Sequence, residues 1–595
     1  MFKRRDALKF GLAAAGTGLA SNYAWAVKQH ENRIFPQSGF VPPFNYAPAI
    51  EARPSPKVTP FVQPLFEMPV AQPVDPSVLA LPENGGMMPD PERHQRFNEF
   101  LPQNYYIQRF EENRWVYHPE GPYADGSWGY TMNGYMPGET YKSFYGEPAF
   151  VRRINDVPPL GSGNVNFTIP SFTVHLHNGH TASESDGIPM DYFNPGEFWD
   201  HHYPNFEAGF DVNEQMNTLW YHDHRLDFTA TNVYAGLSGF YLLFSETDSD
   251  NERDENPVAL RLPSGKYDVP LMVHDVQFDQ NGQVVWDFFT PTPEPIDGDV
   301  LPIQDHAIFG MLGDQMTVNR KIQPYFQVEA RKYRFRILNG GPSRLYDFIL
   351  RPDAANPQAN VNGRNFYVLS NDGNLYEEAR EVDHVEIWVA NRSDVIIDFS
   401  HFEPGDHVYL VNRLESRMDG AGPSGRFSEE GYEMMRFDVV STPEEDPSRI
   451  PDRLRDFPDI DLSEVRRERE WVFDYDNGLW TVNGRLMDPN NVDARIESGS
   501  AEIWTIRNAG DTWTHPIHTH FEEFRIIEQN GMPVSGNHPL NVPKDVVELG
   551  PKEEIKFYSR WRDFKGRHVM HCHNVVHEDH AMMIRWDMVE PGEGD

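Results

Sequence analysis

Four short motifs in this chain set histidines two residues apart: His175-Leu176-His177, His222-Asp223-His224, His515-Pro516-Ile517-His518-Thr519-His520, and His571-Cys572-His573, the last followed by His577 and Met582. With 24 histidines in 595 residues, chance supplies roughly one such pair, so one pair means little and four mean a site. The only cysteine, Cys572, sits inside the last motif. A lone thiol forms no internal disulfide, and by itself it is a small apolar side chain. Its histidine neighbours point instead to metal.

Spacing dictates geometry. On a strand, residues i and i+2 leave one face and i+1 the other, so each His-x-His aims two imidazoles at one place. His571 and His573 share a face while Cys572 points away; His518 and His520 share a face, and His515 has the opposite parity. Two sites result, joined by the backbone of residues 571–573. One gathers eight imidazoles, those of His175, His177, His222, His224, His518, His520, His571 and His573. The other gathers Cys572, His515, His577 and Met582, which is the ligand set of a blue-copper electron-transfer site. A structural zinc site recruits several cysteines in a closed four-coordinate shell. Eight imidazoles exceed what one ion needs and suit a cluster of three coppers.

Strands must position these ligands, and the composition provides them. A chain this long fits three or four domains. Short strand-like runs recur between Gly, Pro, Asn and Asp, for example residues 239–244, 332–338, 385–389, 394–399 and 502–507. Residues 332–337 alternate with period two, as a half-buried strand does. Long amphipathic helical patterns are scarce, so the expected class is all-β, built as sandwiches or barrels. Two acidic, proline-bearing stretches, 246–257 and 442–461, read as linkers and divide the chain into domains at 58–245, 258–441 and 462–595. Residues 27–57 are Pro-rich and read as an extended arm.

The N-terminus reads as an address. Lys3-Arg4-Arg5 precedes an apolar Gly/Ala-rich run, and Ala24-Trp25-Ala26 is a small-x-small cleavage site. Residues 1–26 therefore form a signal peptide of twin-arginine type, whose export machinery is an expected partner and which places the mature protein in the periplasm or outside the cell. No later stretch approaches the roughly 18 apolar residues of a membrane span. A formal charge of -39 argues against nucleic acid or anionic membrane as partners.

With these residues in view, the chain resembles the multicopper oxidases, in particular the group of bacterial spore-coat laccase, bilirubin oxidase and phenoxazinone synthase. The likeness runs through Trp128-Gly129-Tyr130, residues 175–187, Leu219-Trp220-Tyr221-His222-Asp223-His224, residues 232–237, 331–339 and 571–583. It implies three cupredoxin-like Greek-key β-sandwich domains with a trinuclear cluster between the first and third. It implies four copper ions, one type 1, one type 2 and two type 3. His175 and His518 would hold the type 2 ion; His177, His222 and His573 one type 3 ion; His224, His520 and His571 the other. Met582 falls at the axial position of the type 1 site. Asp186 and Glu578 match carboxylates that assist proton delivery, which a reaction consuming four protons requires.

The implied activity is that of a laccase-like oxidase. It takes single electrons from phenols, aromatic amines or related donors at the type 1 copper and reduces dioxygen to water at the cluster. Such a donor is expected at an exposed edge of His577. Mn(II) or Cu(I) are alternative donors, although no methionine-rich insertion is present. A non-catalytic exported cupredoxin-type protein is the remaining alternative, disfavoured by the full ligand set. Two departures from the family pattern bear on tuning: Asn178 stands where a glycine is common, and Asn574-Val575-Val576 where Ile-Leu-Glu is common. His180, His201, His202, His568 and His580 lie near the motifs but off pattern, and are expected at the surface or behind the ligands.

Overall fold

The computed structural model describes residues 54–79, 93–286, 295–296, 299–300, 309–417, 422–476, 479–536 and 538–595. The signal peptide and nearly all of the Pro-rich arm lie outside the described residues. Runs rich in Val, Ile, Phe and Tyr, cut short by turn residues, cannot bury themselves alone and pair into sheets. Three pairs of sheets follow one another along the chain.

In the first pair, Ser127–Met132, Asn104–Trp115, Ala149–Asn155 and Phe198–Tyr203 form one sheet. Tyr141–Phe144, Ser238–Phe244, Thr218–Asp223 and Val174–His177 form the other. Phe110, Val151, Phe172, Leu219 and Tyr241 fill the space between them. The middle pair sets a seven-stranded sheet containing Lys332–Asn339 against a five-stranded sheet containing Pro423–Ser441, over Phe335, Phe348, Phe399 and Phe437. The third pair packs Trp504, Phe557, Trp561 and Trp586 between its sheets, one of which carries both His515–Thr519 and Gly566–Cys572. The architecture is all-β, three sandwiches in series.

Ion pairs alter two sequence expectations. The strand Lys332–Asn339 is buried on both faces after Lys332, not on one. Phe335 and Ile337 enter the core. Arg334 and Arg336 are buried with carboxylates, Arg334 with Asp394 at 2.5 Å and Arg336 with Asp268 at 2.7 Å. The acidic stretches are tied to the middle sandwich: Asp248 meets Arg334 at 2.9 Å, while Arg331 meets Glu252 at 2.6 Å and Asp446 at 2.9 Å. The chain beyond residue 54 also begins on the middle sandwich, where Phe61 N donates to Gln323 O (2.9 Å) and Leu65 N to Tyr325 O (2.7 Å). Among the described residues, no helix is long and apolar enough to cross a membrane.

Candidate metal centre

Two antiparallel pairings bring the histidines face to face. Val174–His177 pairs with Thr218–Asp223, setting His175 opposite His222. His515–Thr519 pairs with Gly566–Cys572, setting His518 opposite His571. The first pair belongs to the first sandwich and the second to the third. Between them the imidazoles converge. His175 Nε2 lies 3.2 Å from His518 Nε2, and His224 Nε2 lies 3.1 Å from both His520 Nε2 and His571 Nε2. Three trios each keep their ligand atoms within 4.8 Å of one another: His177/His222/His573, His224/His520/His571 and His175/His177/His518.

The chemistry of this nest fits metal. All eight side chains are buried, and both nitrogens of His177 and His573 and Nε2 of His222 have no hydrogen-bond partner. A buried polar atom left unpaired costs about 1–3 kcal/mol, and one nitrogen from each of these three rings falls within the trio His177/His222/His573, a set that suits a cation. Burial, with repulsion from neighbouring imidazoles, holds His177, His222, His224, His518, His520 and His573 well below the ordinary imidazole range. They are therefore neutral, the form that ligates.

Carboxylates stand behind the imidazoles. Glu578 Oε1 lies 3.1 Å from His224 Nδ1 and Oε2 lies 3.0 Å from His571 Nδ1. Asp186 Oδ2 accepts from His520 Nδ1 at 2.8 Å, and its main-chain oxygen accepts from His175 Nδ1 at 2.6 Å. Both acids are buried. Gly187 lets this loop close: its φ is +82°, and a Cβ there would sit 2.2 Å from Val174 O.

Across the strand lies the second cluster. Cys572 Sγ is 3.4 Å from His515 Nδ1 and 3.5 Å from His577 Nδ1, and the two nitrogens are 3.3 Å apart. An ion at the centre of that triangle would stand about 2 Å from each vertex, a metal–ligand bond length. Burial pushes His515 down to about 3 and, before any metal binds, pushes the Cys572 thiol up. Met582 packs in the same apolar cluster as Cys572. Its main chain accepts from Cys572 N and donates to His577 O, each at 3.1 Å.

His577 corrects an expectation: its edge is not exposed. The residue is fully buried, Nε2 donates to Phe309 O at 2.9 Å, and Trp480 covers the ring. The stretch that departs from the family pattern provides the support. Asn574 Oδ1 accepts from Ser343 Oγ at 2.8 Å and caps the helical turn Val575–Asp579. Val575 N donates to Pro342 O at 3.1 Å, so this stretch docks on the middle sandwich.

Asn178 has a φ of +67°, the left-handed region where glycine is at ease and Asn is tolerated. Its amide donates to Glu523 at 2.8 Å, a contact a glycine cannot make. Of the off-pattern histidines, His180, His201, His202 and His568 are buried, not on the surface, while His580 is half-buried. Sequence reasoning passed over Trp480 and Phe309, because neither belongs to a motif and both arrive from distant segments.

The family model described as multicopper oxidase matches residues 462–591. The chain is 31% identical over 470 residues to a bilirubin oxidase of Albifimbria verrucaria, covering 76% of this chain and 72% of that protein. It is 31% identical over 549 residues to a laccase of Bacillus stratosphericus, covering 84% and 98%. The crystal structure of a laccase from Pediococcus acidilactici superposes with a TM-score of 0.68 at 20% identity, over 90% of this chain and 96% of that one. That likeness identifies the three sandwiches as cupredoxin-like.

Proposed function

The chain belongs to the multicopper oxidase family, and from that premise we propose which of its residues hold copper and carry protons. The protein is an oxidoreductase with copper as cofactor, coupling oxidation of a reducing substrate to reduction of dioxygen. Four copper ions fit the ligand clusters. Cys572, His515, His577 and Met582 would hold one. His175 and His518 would hold a second, His177, His222 and His573 a third, and His224, His520 and His571 a fourth. Copper bound at these places supplies one-electron chemistry, accepting electrons singly at the first site and delivering four to dioxygen at the other three.

The chain's own residues do the rest. His571 and His573 flank Cys572, so the two sites are connected through three consecutive residues. That continuity is the observation that carries the reading. Asp186, through Oδ2 beside His520, and Glu578, through its two oxygens beside His224 and His571, are the carboxylates placed to relay the protons that dioxygen reduction consumes. The domains are those bounded at 58–245, 258–441 and 462–595. The twin-arginine signal of residues 1–26 directs export, with the periplasm or the exterior as destination.

The donor is a small aromatic molecule, a phenol or an aromatic amine. Tyr475, Trp480, Trp513 and Phe309 form an aromatic shell over His577, with Tyr475 and Trp513 5.0 Å apart. Such faces favour a planar π-system. Copper analysis with oxygen uptake tests the whole reading: four coppers per chain and one dioxygen per four electrons are expected, and a protein with a single copper and no uptake would overturn it. Cys572→Ser is expected to abolish the intense blue band and the activity while far-ultraviolet circular dichroism stays unchanged, because a hydroxyl is a poor ligand beside a soft thiolate. Oxidation of Mn(II) or Cu(I) with no aromatic donor accepted would replace the laccase-like reading with a metal oxidase.

A further inference from the structure

Three carboxylates, not two, reach the imidazoles of the cluster. Glu578 serves His224 and His571, and Asp186 serves His520 and His175. His222 Nδ1 donates to Asp223 O at 2.7 Å. His177, His518 and His573 are left; both nitrogens of His573 are without a hydrogen-bond partner, and the other two rings face Asp545. His518 Nδ1 donates to Asp545 O at 2.9 Å, and Asp545 Oδ1 lies 3.6 Å from His177 Nε2. The second contact is longer than a hydrogen bond. With Nε2 on the Asp545 side, Nδ1 is the His177 nitrogen left for metal.

Asp545 is itself gripped from the middle sandwich. Arg392 donates from Nη1 to Asp545 Oδ1 at 2.9 Å and from Nη2 to Oδ2 at 2.5 Å, a planar two-point match that lysine cannot reproduce. Arg392 Nε donates to Thr218 O at 3.1 Å, on the strand that carries His222, and Nη1 donates to Ala390 O at 3.0 Å. The guanidinium thus touches all three sandwiches. Asp372 reinforces the turn from the other side, accepting from Val546 N and standing 3.3 Å from Lys544 Nζ. Arg392, Asp545, Asp372 and Lys544 are all buried. Taking such charges out of water is costly, and a pair held this tightly is more than a surface ornament.

We propose that Asp545, locked by Arg392 of the middle sandwich, is a positioning residue: the grip on its carboxylate fixes the main-chain oxygen that orients His518 on the type 2 side, while the carboxylate itself faces His177 of the neighbouring type 3 set. This rests on the four-copper reading above. Partners behind metal-bound histidines typically change metal affinity about 10–100-fold when removed.

Copper-loaded Asp545→Asn, Arg392→Lys and the parent protein decide it, by copper content, blue absorbance and the type 2 electron paramagnetic resonance signal. The parent should hold four coppers. Asp545→Asn should keep its blue band, lose type 2 copper on dialysis with an affinity about 10–100-fold weaker, and show altered type 2 hyperfine splitting. Arg392→Lys should move the same signals in the same direction by less. If both variants hold four coppers with the parent's type 2 signal, the proposal is overturned, whatever happens to their melting temperature, and the pair merely joins the sandwiches. Should Asp545→Asn fail to fold, Arg392→Lys decides alone by the same signals. A parent with only one copper sinks the four-copper reading instead, and does so visibly in the control.

Discussion

Trp480 lies flat on His577, ring centroids 3.8 Å apart and planes 25° from parallel. The contact does two things at once. It keeps water from a ring whose Nδ1 points at Cys572, and it passes the aromatic surface outward to Tyr475, 4.6 Å away, and Trp513, 5.4 Å away. On the reading proposed above, an electron bound for Cys572 crosses this shell instead of entering at an open imidazole edge.

Removing the shell has a direction. Trp480→Ala admits water to the cysteine site, and a wetter surrounding favours the more highly charged oxidised metal. The potential of the blue copper should fall, and donor oxidation should slow, while the blue band itself remains. Emptying so large a buried volume should also cost about 3–5 kcal/mol of stability. Redox titration of the blue band and a denaturant melt check both; an unchanged potential would mean that Trp480 only fills space.

Strand parity explains what could be read in advance. Successive side chains leave opposite faces, so the grouping of His571 with His573, and of Cys572 with residues of other motifs, is a local property of three residues. The all-β class is likewise written in the short strands and their turns. Burial of His577 is not local. Its cover comes from Phe309, 268 residues away, and from Trp480 on a neighbouring strand, and no spacing rule relates them. The same holds for Arg392, whose partner Asp545 is 153 residues away. Charged residues in a strand such as Lys332–Asn339 look solvent-facing by period two, yet their partners come from outside the strand. Pattern gives the face of an element; it does not give what another domain brings to that face.

His518→Ala should separate electron entry from oxygen reduction. The cysteine site lies across the strand and keeps its ligands, so a donor should still bleach the blue band under anaerobic conditions. Reoxidation on admitting air should then stall, because His518 stands 3.2 Å from His175 at the shared edge of the cluster. Recovery of the blue colour at the parent's rate would remove His518 from the ligand set.

The two buried carboxylates should differ from an ordinary structural acid in their pH behaviour. Asp186→Asn and Glu578→Gln keep shape and one acceptor oxygen but cannot carry a proton. General acid–base groups typically contribute about 10²–10⁴-fold, so reoxidation should slow by that order in each variant. The deficit should widen as pH rises, since protons must then come from a bulk supply that shrinks tenfold per pH unit. Stopped-flow reoxidation from acid to alkaline pH is the measurement; a deficit equal at every pH would assign these residues to holding His520, His224 and His571 in place and nothing more.

The last prediction concerns the acidic surface. A formal net charge of -39 surrounds a donor site whose walls are aromatic and uncharged at Tyr475, Trp480 and Trp513. Contact at the shell is set by π-faces, but arrival is set by the field. Cationic aromatic donors should therefore outpace anionic ones of equal potential, through a higher local concentration. Screening acts over about 8 Å at physiological ionic strength and about 3 Å at 1 M salt, so the advantage should shrink as salt is added. The shift should appear in kcat/KM and not in kcat, because a saturated enzyme no longer waits for encounter. Steady-state rates for a matched cationic and anionic pair, at low and high salt, decide the matter. A ratio that stays fixed across that range would mean that the charge serves solvation alone, and that the aromatic shell selects donors unaided.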